Sequence, residues 1–402
     1  MQKRSVLYVS GSRADYGPAR DLLRAIQIHP NLELGLLVTA MHLQPEHGMT
    51  VGEIEKDGFN IVARVPTLSD ASLVLMSEAV GDAVARFGQE MERLSPDLLL
   101  LLGDRAEQLS AAVAGAIQNV TIVHLCGGSN SGSIDNSFRH AISKFAHYHF
   151  PANEAHAKRL VQMGEAPDTI EIVGLPGGNL SKYITYSGME IKEMYGLPQA
   201  KPYLLVLQHP VTHSHDHAGR QIVETLEAVV EIGLPTLLAN PNGDPGGTAM
   251  QAVMNEFASE HENLQLLPPP GSREIFASVM GHCTVLVGNS SSAVGEAMSV
   301  GLPVVNIGDR QQGREADAEW INVDYERGKI ADGIRFALTD REYRGRLEHL
   351  AETMAWAAQE ERTAGLLAEL DLSRGARSKR FFDLDVVDEF FLKKGAVKQC
   401  IS

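Results

Sequence analysis

The stretch "HLCGGSNSGSIDNSFRH", residues 124–140, gathers side chains that can exchange protons or bind metal ions within a loop rich in glycine and serine. Cys126, Asp135, Arg139 and His140 are its candidate chemical groups. Asp135 and Arg139 are four residues apart, so they share one face if a helix begins near Asp135 or Asn136. Such a pair suits acid–base chemistry, and the alternative is a capped helix with an internal ion pair. The stretch is therefore a catalytic loop, a metal site or a flexible connection.

Two earlier turns are candidates for holding an anion. "GSRADYG", residues 11–17, follows the first apolar run, and Arg13 can contact a phosphate beside the N–H groups of a following helix. It lacks both the GxGxxG pattern and the P-loop lysine. "LLLLLGDR" places Asp104 and Arg105 directly after five leucines. Asp104 there is either a helix cap or an acid–base group beside a bound anion.

The stretch "GNSSSAVGEAMSVG", residues 288–301, predicts a diphosphate site. Ser290 and Ser291 offer hydroxyl and N–H donors at a strand-to-helix turn, and Glu296 can accept hydrogen bonds from ribose hydroxyls. "GDRQQGRE" follows the next apolar run, where Arg310 can close over the diphosphate or the base. A serine-capped helix alone would explain the serines but not this second cationic turn.

The stretch "HPVTHSHDH", residues 209–217, resembles a metal site in composition only. Imidazoles two residues apart share a face on a strand, but Pro210 stands where the strand should end. We therefore predict no metal here. His209, at the strand end, is a candidate ligand contact, and the later histidines are expected in a solvated loop.

Composition narrows the class of protein. A chain of 402 residues exceeds what one hydrophobic core normally supports, so two domains are expected. With 51 acidic and 35 basic residues the net charge is -16, which argues against nucleic acid or an anionic membrane as partner. The three cysteines lack CxxC spacing, and no apolar run reaches membrane-spanning length. These features predict a cytoplasmic protein whose anionic ligand is held by a local site.

Short, continuous apolar runs alternate with amphipathic stretches along the whole chain, as in "SVLYVSG", "DLLLLLGD", "KPYLLVLQHP" and "CTVLVGNSSS". This pattern indicates parallel strands buried on both faces. The series occurs twice, which predicts an α/β protein with two Rossmann-like, doubly wound domains facing a cleft. We place the domains at residues 1–180 and 181–364, with a linker around "GLPGGNLSKYITYSGM". The tail from "IADGIRFALTDREYRGRLEHLAETMAW" is predicted to be helical and to pack back on the first domain, and C-terminal helices at about residues 365–402 are assigned to that domain.

The combination of "GSRADYG", "GDR", the 124–140 loop, "HPVT", "PNGD", "GNSSSAVGEA" and "IGDRQQGRE", in this order, resembles the hydrolysing UDP-N-acetylglucosamine 2-epimerases. These include the enzymes of bacterial sialic and legionaminic acid synthesis. The resemblance covers about residues 4 to 385, and "KRFFDL" near the end fits it. It implies a GT-B-like pair of Rossmann domains, with UDP held mostly by the second.

The resemblance also implies a reaction. A UDP-sugar loses UDP by elimination across C1 and C2, and the resulting 2-acetamidoglycal adds water to release the free manno-configured sugar. No metal and no NAD redox partner are implied, and a homodimer is. By motif, the ligand contacts would be Arg13, Arg105, His209, Asn242, Ser290, Ser291, Glu296 and Arg310. The catalytic groups would come from Asp104, Asp135, Arg139 and His140.

This chain departs from the family in its loop. Many relatives read "HIEGGEVSGTIDDSIRH", so Cys126 and Ser129 stand where glutamates are found, and Asn136 replaces a carboxylate. One explanation is a different sugar, such as a UDP-2,4-diacetamido-2,4,6-trideoxyhexose. A second is that Asp104 and Asp135 suffice, helped by His140 or by Cys126, whose thiol would then need a pKa below about 8.5. A GT-B glycosyltransferase and a UDP-sugar-binding protein with little turnover are the remaining alternatives.

Overall fold

The computed structural model describes residues 3–67, 72–268, 272–293, 295–314, 319–353, 360–374 and 379–383. These residues form two parallel sheets of six strands each. Helices cover both faces of each sheet, and each face has its own buried apolar cluster. The prediction of a doubly wound α/β fold built from two Rossmann-like units is confirmed.

The first sheet has the strand order β3-β2-β1-β4-β5-β6, with every pair parallel. Its strands are β1 Arg4–Ser10, β2 Leu32–Thr39, β3 Ile61–Val65, β4 Leu98–Leu102, β5 Thr121–Leu125 and β6 Tyr148–Phe150. The helices between and after them are α1 Arg13–Ile28, α2 Val51–Lys56, α3 Leu73–Leu94, α4 Ala106–Ile117, α5 Ile134–Phe145 and α6 Glu154–Gln162. The five leucines of β4 are all buried because helices lie on both sides of the strand.

The second sheet repeats this topology with the order β12-β11-β10-β7-β8-β9. Its strands are β7 Leu204–Leu207, β8 Thr236–Ala239, β9 Leu264–Leu267, β10 Val285–Gly288, β11 Val304–Ile307 and β12 Ile321–Val323. Its helices are α7 Gly188–Met194, α8 Ala218–Ile232, α9 Gly247–Glu260, α10 Arg273–His282 and α11 Arg327–Thr339.

The C-terminal helices divide between the two sheets. The predicted helical stretch after residue 330 forms α11 and α12 Arg341–Thr353, but these pack on the second unit, against α8 and the 3-10 helix Met298–Val300. The prediction that this stretch packs on the first domain is therefore wrong. The next helix, α13 Glu360–Glu369, does lie on the first unit, where it contacts α1 and buries Ala364 and Leu367. Residues 384–402 lie outside the described residues, and the domain boundaries at 180 and 364 stay a prediction.

Both sheets place their topological switch points at the same cleft. The strand order reverses between β1 and β4 in one sheet and between β7 and β10 in the other. Ligands of open α/β sheets bind at the carboxyl ends of strands beside such points. Among the described residues, no helix is long and apolar enough to cross a lipid bilayer.

Candidate active site

The carboxyl ends of the two sheets enclose one cavity of about 860 Å³. This volume lies within the range of small-molecule sites in proteins, about 300–1,000 Å³. The cavity is lined by all but one of the residues that the sequence singles out: Arg13, Asp104, Arg105, Cys126, Asp135, Arg139, His209, Asn242, Ser290, Ser291, Glu296 and Arg310. The exception is His140, which is not among the lining residues. Side chains scattered over about 300 positions of sequence therefore converge on one site.

Arg139 organises the catalytic loop. Its side chain is 1% exposed, and its guanidinium donates to the Asp104 carboxylate across to β4. It also donates to the Ser129 carbonyl at 3.1 Å and to Asn136 Oδ1 at 3.2 Å. Arg139 therefore joins the end of β4 to α5, and the alternative of an ion pair with Asp135 within the helix is not what forms.

Asp104 is held as a carboxylate. Burial alone would raise the pKa of Asp104, but the guanidinium groups of Arg139 and Arg314 outweigh burial and keep that pKa below the ordinary value. The alternative role as a cap of α4 does not apply, because the N-cap of α4 is Arg105. At neutral pH Asp104 is an ionised group facing the cavity, as a proton acceptor must be.

Asp135 has the opposite environment. Its burial, and next the negative charge of Asp104, raise the pKa of Asp135 to about 6, although the Arg310 guanidinium opposes the shift. Ser133 Oγ donates to Asp135 Oδ2 at 3.0 Å, and Arg310 Nη2 lies 3.4 Å from the same oxygen. Two carboxyl groups whose pKa values are separated in this way suit one base and one acid.

Cys126 lines the cavity, but its surroundings do not make a thiolate. Burial, and then the nearby Asp104 charge, raise the pKa of the Cys126 thiol to about 12. The residue has a φ of 63°, an unusual conformation for a side chain other than glycine, and its N–H donates to the Phe150 carbonyl at 3.0 Å. A thiolate role would require a lowered pKa, and the Cys126 pKa is raised instead. Cys126 therefore places a small, neutral thiol at the cavity wall.

His140 also departs from its predicted role. Burial, and then the positive charge of Arg139, lower the pKa of His140, so its imidazole is neutral at pH 7. Its Nδ1 atom is buried without a hydrogen-bond partner. Successive helical residues are about 100° apart, so Arg139 and His140 cannot both face Asp104. The prediction that His140 assists the chemistry has no geometric support.

The cationic side chains of the cavity form links across the cleft. Arg310 of the second unit reaches Asp135 of the first, and Arg105 Nη2 of the first lies 3.1 Å from Asp244 of the second. The Gly132 N–H donates to the Arg310 carbonyl at 2.9 Å. A Cβ atom at Gly132 would overlap the Asp309 carbonyl oxygen, so only glycine allows this approach.

His209 presents a neutral imidazole at the end of β7. Its Nδ1 accepts the Asn242 N–H at 3.1 Å, which assigns the proton to Nε2. Burial, and next the positive charge of Arg310, lower the pKa of His209 to about 3. His209 can therefore donate to an anion without carrying charge. The later histidines lie in the 3-10 helix Thr212–His217, and no group of three metal-binding side chains gathers within the described part of the chain.

The serine-rich turn after β10 does not lead into an α-helix. Its described residues form the 3-10 helices Ser291–Ala293 and Met298–Val300 instead. Ser290 and Ser291 line the cavity, so their hydroxyl donors remain available without a helix N-terminus behind them. Glu296 pairs with Arg273 at 3.1 Å, and Arg273 lies over the Tyr183 ring at 4.3 Å from its centroid. A carboxylate fixed in this way can accept hydrogen bonds from a diol.

Four residues at the site escaped the sequence reasoning. Arg314 donates to Ser129 Oγ at 2.8 Å and approaches Asp104 at 4.0 Å. The Asp244 carboxylate pairs with Arg105 and accepts a hydrogen bond from the Asn242 side-chain amide. Arg273 forms the ion pair that positions Glu296. Asp15 is 2% exposed at the cavity wall, and burial, then the Glu107 charge, raise the pKa of Asp15 to about 7. Arg314 and Asp244 lie inside the quoted motifs "GDRQQGRE" and "PNGD"; nothing in the sequence marks Arg273.

Comparison with known proteins identifies the family of this chain. A family model described as UDP-N-acetylglucosamine 2-epimerase matches residues 24–355. The UDP-N,N'-diacetylbacillosamine 2-epimerase (hydrolyzing) of Legionella pneumophila is 38% identical over 337 residues, which cover 83% of this chain and 89% of that protein. The UDP-N-acetylglucosamine 2-epimerase of Neisseria meningitidis is 32% identical over 335 residues, covering 83% and 87%.

Solved structures agree in fold. The Neisseria meningitidis UDP-GlcNAc 2-epimerase bound to UDP-GlcNAc aligns with a TM-score of 0.76 at 17% identity, covering 91% of this chain and 98% of that one. The Methanocaldococcus jannaschii enzyme in complex with UDP-GlcNAc and UDP aligns with a TM-score of 0.71 at 15% identity, covering 90% and 99%. The family match over most of the chain, together with these relatives, shows that this protein is an enzyme of the UDP-N-acetylglucosamine 2-epimerase family.

Proposed function

We propose that the protein is a hydrolysing UDP-N-acetylhexosamine 2-epimerase, which converts a UDP-HexNAc and water into UDP and the free 2-epimerised sugar. The observation that carries this proposal is the pair of carboxyl groups at the cavity, Asp104 with a lowered pKa and Asp135 with a raised one. An elimination followed by hydration needs one group that accepts a proton and one that supplies it. The family match supports the same reaction class.

In the first half of the proposed reaction, the Asp104 carboxylate removes the proton from C2. The C2–H electron pair forms the C1=C2 double bond, and the C1–O bond breaks with its electrons moving to the β-phosphate oxygen. Protonated Asp135 assists this departure, and Arg310, which lies beside it, stabilises the charge that develops on the diphosphate. The products of this half are a 2-acetamidoglycal and UDP.

In the second half, water adds across the double bond. Asp135, ionised after the first half, takes a proton from water as the water oxygen bonds to C1, and passes it to C2 on the face opposite to the one that lost a proton. Asp104 releases its proton to solvent and Asp135 takes one up, which restores the starting state. Inversion at C2 therefore needs proton donors and acceptors on two sides of the sugar, which two separate carboxyl groups provide and one does not. Arg139 supports both halves because it fixes the distance between the turn after β4, which carries Asp104, and α5, which carries Asp135.

The nucleotide is proposed to lie against the second unit. Ser290, Ser291 and the neutral His209 offer donors to the diphosphate, and Arg13 approaches from the opposite side of the cavity. Glu296, fixed by Arg273, is assigned to the ribose hydroxyls. This arrangement separates nucleotide binding from proton transfer, so variants of the carboxyl groups should leave UDP affinity intact.

A second sugar is a specific candidate. Cys126, Ser129 and Ser131 line the cavity near Asp104, and all three side chains are small and uncharged. None of the three is a carboxylate, so an acetamido group at C4 of the sugar would meet short hydroxyl and thiol groups at these positions. The Legionella pneumophila relative is named for a diacetamido sugar. We therefore propose UDP-2,4-diacetamido-2,4,6-trideoxyhexose as the alternative substrate to UDP-GlcNAc, with the product entering sialic or legionaminic acid synthesis.

The test is to incubate the protein with each UDP-sugar in deuterated water and to follow the products by NMR. Free 2-epimerised sugar carrying deuterium at C2 is the expected result, and the preferred sugar is the one with the higher kcat/KM. UDP release that requires an added acceptor, with C2 hydrogen retained, would instead identify a glycosyltransferase. UDP binding without turnover of either sugar would leave only a binding protein.

Variants connect the reaction to the site. Asp104→Asn and Asp135→Asn should each lower kcat at least a hundredfold while changing the Kd for UDP by less than about twofold, since general acid–base groups contribute about 10²- to 10⁴-fold. Asp82→Asn is the matched control, because Asp82 lies on the surface of α3 and pairs with Arg86. Full activity in both site variants would show that the assignment of the acid and base is wrong.

Two further properties rest on the sequence and the family resemblance rather than on the geometry of the site. We propose that the protein works in the cytoplasm and that it forms a homodimer. Light scattering of the purified protein measures the mass that tests the dimer, and a mass near the 43.6 kDa of one chain would contradict it.

A further inference from the structure

A short C-terminal segment lies against the end of the helix that carries the proposed catalytic groups. The described residues 379–383, here called the C-terminal strap, follow α13 in sequence but contact α5. Lys379 Nζ donates to the carbonyl oxygens of Ser143 at 2.8 Å and Lys144 at 3.1 Å. These carbonyls belong to the last turn of α5, whose own helix leaves them without partners. A cation there also complements the helix dipole.

Lys379 is held in place by a buried carboxylate. The side chain of Glu165 is 0% exposed and pairs with Lys379, with Lys144 at 2.7 Å and with His149 at 2.9 Å. Burial would raise the pKa of Glu165, but His149 and the two lysines lower it to about 2. Burial lowers the pKa of Lys379 to about 8, with Glu165 opposing, so Lys379 is still protonated at neutral pH. The strap is therefore attached through an ionised cluster around a buried carboxylate, and removal of Lys379 would leave Glu165 with Lys144 as its remaining cationic partner.

The strap makes a second contact beside this cluster. The Phe382 N–H donates to the Gly164 carbonyl at 2.8 Å, and the Phe381 ring covers Gly164, where a Cβ atom would overlap the ring. Lys144 Nζ lies 4.7 Å from the centroid of the same ring, a cation–π distance. The position of the strap is thus fixed by a backbone hydrogen bond, a ring contact and an ion cluster together.

Buried hydrogen bonds connect this end of α5 to the proposed catalytic groups. Ser143, whose carbonyl receives Lys379, has its hydroxyl 3.0 Å from His124 Nδ1. His124 Nε2 lies 2.7 Å from the carbonyl oxygen of Gly103, the residue before Asp104. Asp135 and Arg139 belong to α5 itself, a helix of about 18 Å in length at 1.5 Å per residue. A displacement of the end of α5 is therefore transmitted to both carboxyl groups.

We propose that Lys379 of the C-terminal strap is a positioning residue for the epimerase reaction, which holds α5 in register with the end of β4 so that Asp135 and Arg139 meet Asp104. The inference rests on the proposed function for its readout. It assigns to the strap a role in turnover. The contacts described for the strap all lie in the first unit, away from the residues of the second unit that are proposed to bind the nucleotide. Loss of the strap contact should therefore reduce kcat and spare UDP binding.

The test compares Lys379→Met, Lys379→Arg and wild type for kcat and KM on the accepted UDP-sugar and for the Kd of UDP. We expect Lys379→Met to lower kcat about tenfold, with the Kd for UDP within twofold of wild type, and Lys379→Arg to recover kcat to within about threefold. Lys158→Met is the matched control, since Lys158 is an exposed lysine of the same unit that pairs with Glu154. Should Lys379→Met fail to fold, Phe381→Ala tests the second contact of the strap, because Phe381 is 63% exposed and its loss should lower kcat about threefold.

The outcomes separate this inference from the proposed function. A kcat of Lys379→Met within twofold of wild type, or an equal loss of kcat and UDP affinity, would overturn the positioning role. If the wild-type protein releases no UDP from either sugar, the proposed function fails, and the strap is then judged by hydrogen exchange. In that measurement the amides of α5 should exchange at least tenfold faster in Lys379→Met, with those of α9 unchanged; equal exchange in α5 would overturn the inference.

Discussion

Replacement of Arg139 by methionine tests the central contact of the site. Arg139 is 1% exposed, while Asp104 is 22% exposed, so water can reach only one partner of the pair. Removing one partner of a buried ion pair costs about 3–5 kcal/mol. Arg314, at 4.0 Å, remains as a partial counter-charge for Asp104. We therefore expect the lower end of this range, about 3 kcal/mol of unfolding free energy at pH 7.

The sign of the pH dependence follows from the Asp104 pKa. In wild type that pKa is lowered, so its contribution to stability is present above the ordinary value near 3.9 and is lost as pH falls through the folded-state pKa. In Arg139→Met the Arg139 guanidinium that helped to lower the Asp104 pKa is gone, and the charges that remain, such as Arg314, oppose the effect of burial less strongly, so the pKa of Asp104 rises. The variant should therefore differ from wild type more at pH 7 than at pH 4, where Asp104 of the variant has begun to take up a proton.

Urea unfolding at pH 7 and pH 4 measures this difference, and a double-mutant cycle with Asp104→Asn assigns it to the pair. The combined variant should be less destabilised than the sum of the two single variants. Additive effects, or a deficit that is equal at the two pH values, would refute the reasoning. Turnover should fall at least a hundredfold in Arg139→Met, because misplacement of reacting groups by about 1 Å is enough for such a loss.

Three other predictions concern the same cavity. If Asp135 acts as the acid, kcat/KM should fall about tenfold per pH unit above about pH 6. The corresponding decrease in kcat should occur at higher pH, because the bound diphosphate adds negative charge near Asp135 and raises its pKa further. A flat pH–rate profile up to pH 9 would argue against this role. Cys126→Ala should keep kcat within about threefold of wild type, and a hundredfold loss would contradict the assignment of Cys126 as a neutral group. In the wild-type protein the Cys126 thiol should react slowly with iodoacetamide at pH 7.5, because its pKa is raised to about 12. Gly132→Ala should weaken turnover at least tenfold with little change in melting temperature, since the new methyl group would overlap the Asp309 carbonyl oxygen across the cleft. Gly345→Ala, at an open helical position, is its control, and equal kinetics in the two variants would show that the cleft tolerates the separation.

Much of the fold could be predicted from local sequence. Continuous apolar runs such as the five leucines of β4 are long enough for a strand and too apolar for an exposed face, so they indicate a parallel sheet before any contact is known. The polar residues after each run mark the carboxyl ends where a ligand binds, and twelve of the thirteen candidates do line one cavity. The packing of α11 and α12 was mispredicted, because an amphipathic pattern shows that a helix buries one face but not which sheet receives it.

The types of the chemical groups, and the strand ends at which they lie, can be predicted from the amino-acid sequence, since strand ends and turn residues are local properties. The pairing of the charges depends on the tertiary fold. Arg139 pairs with Asp104, 35 residues away, rather than with Asp135, four residues away. Asp135 is instead contacted by Arg310 of the other unit. These long-range contacts set the order in which the two carboxyl groups take up a proton as pH falls, Asp135 before Asp104, because a pKa depends on burial and on neighbouring charges rather than on sequence. The same holds for Lys379, whose contact with α5 spans 236 positions and has no local signature.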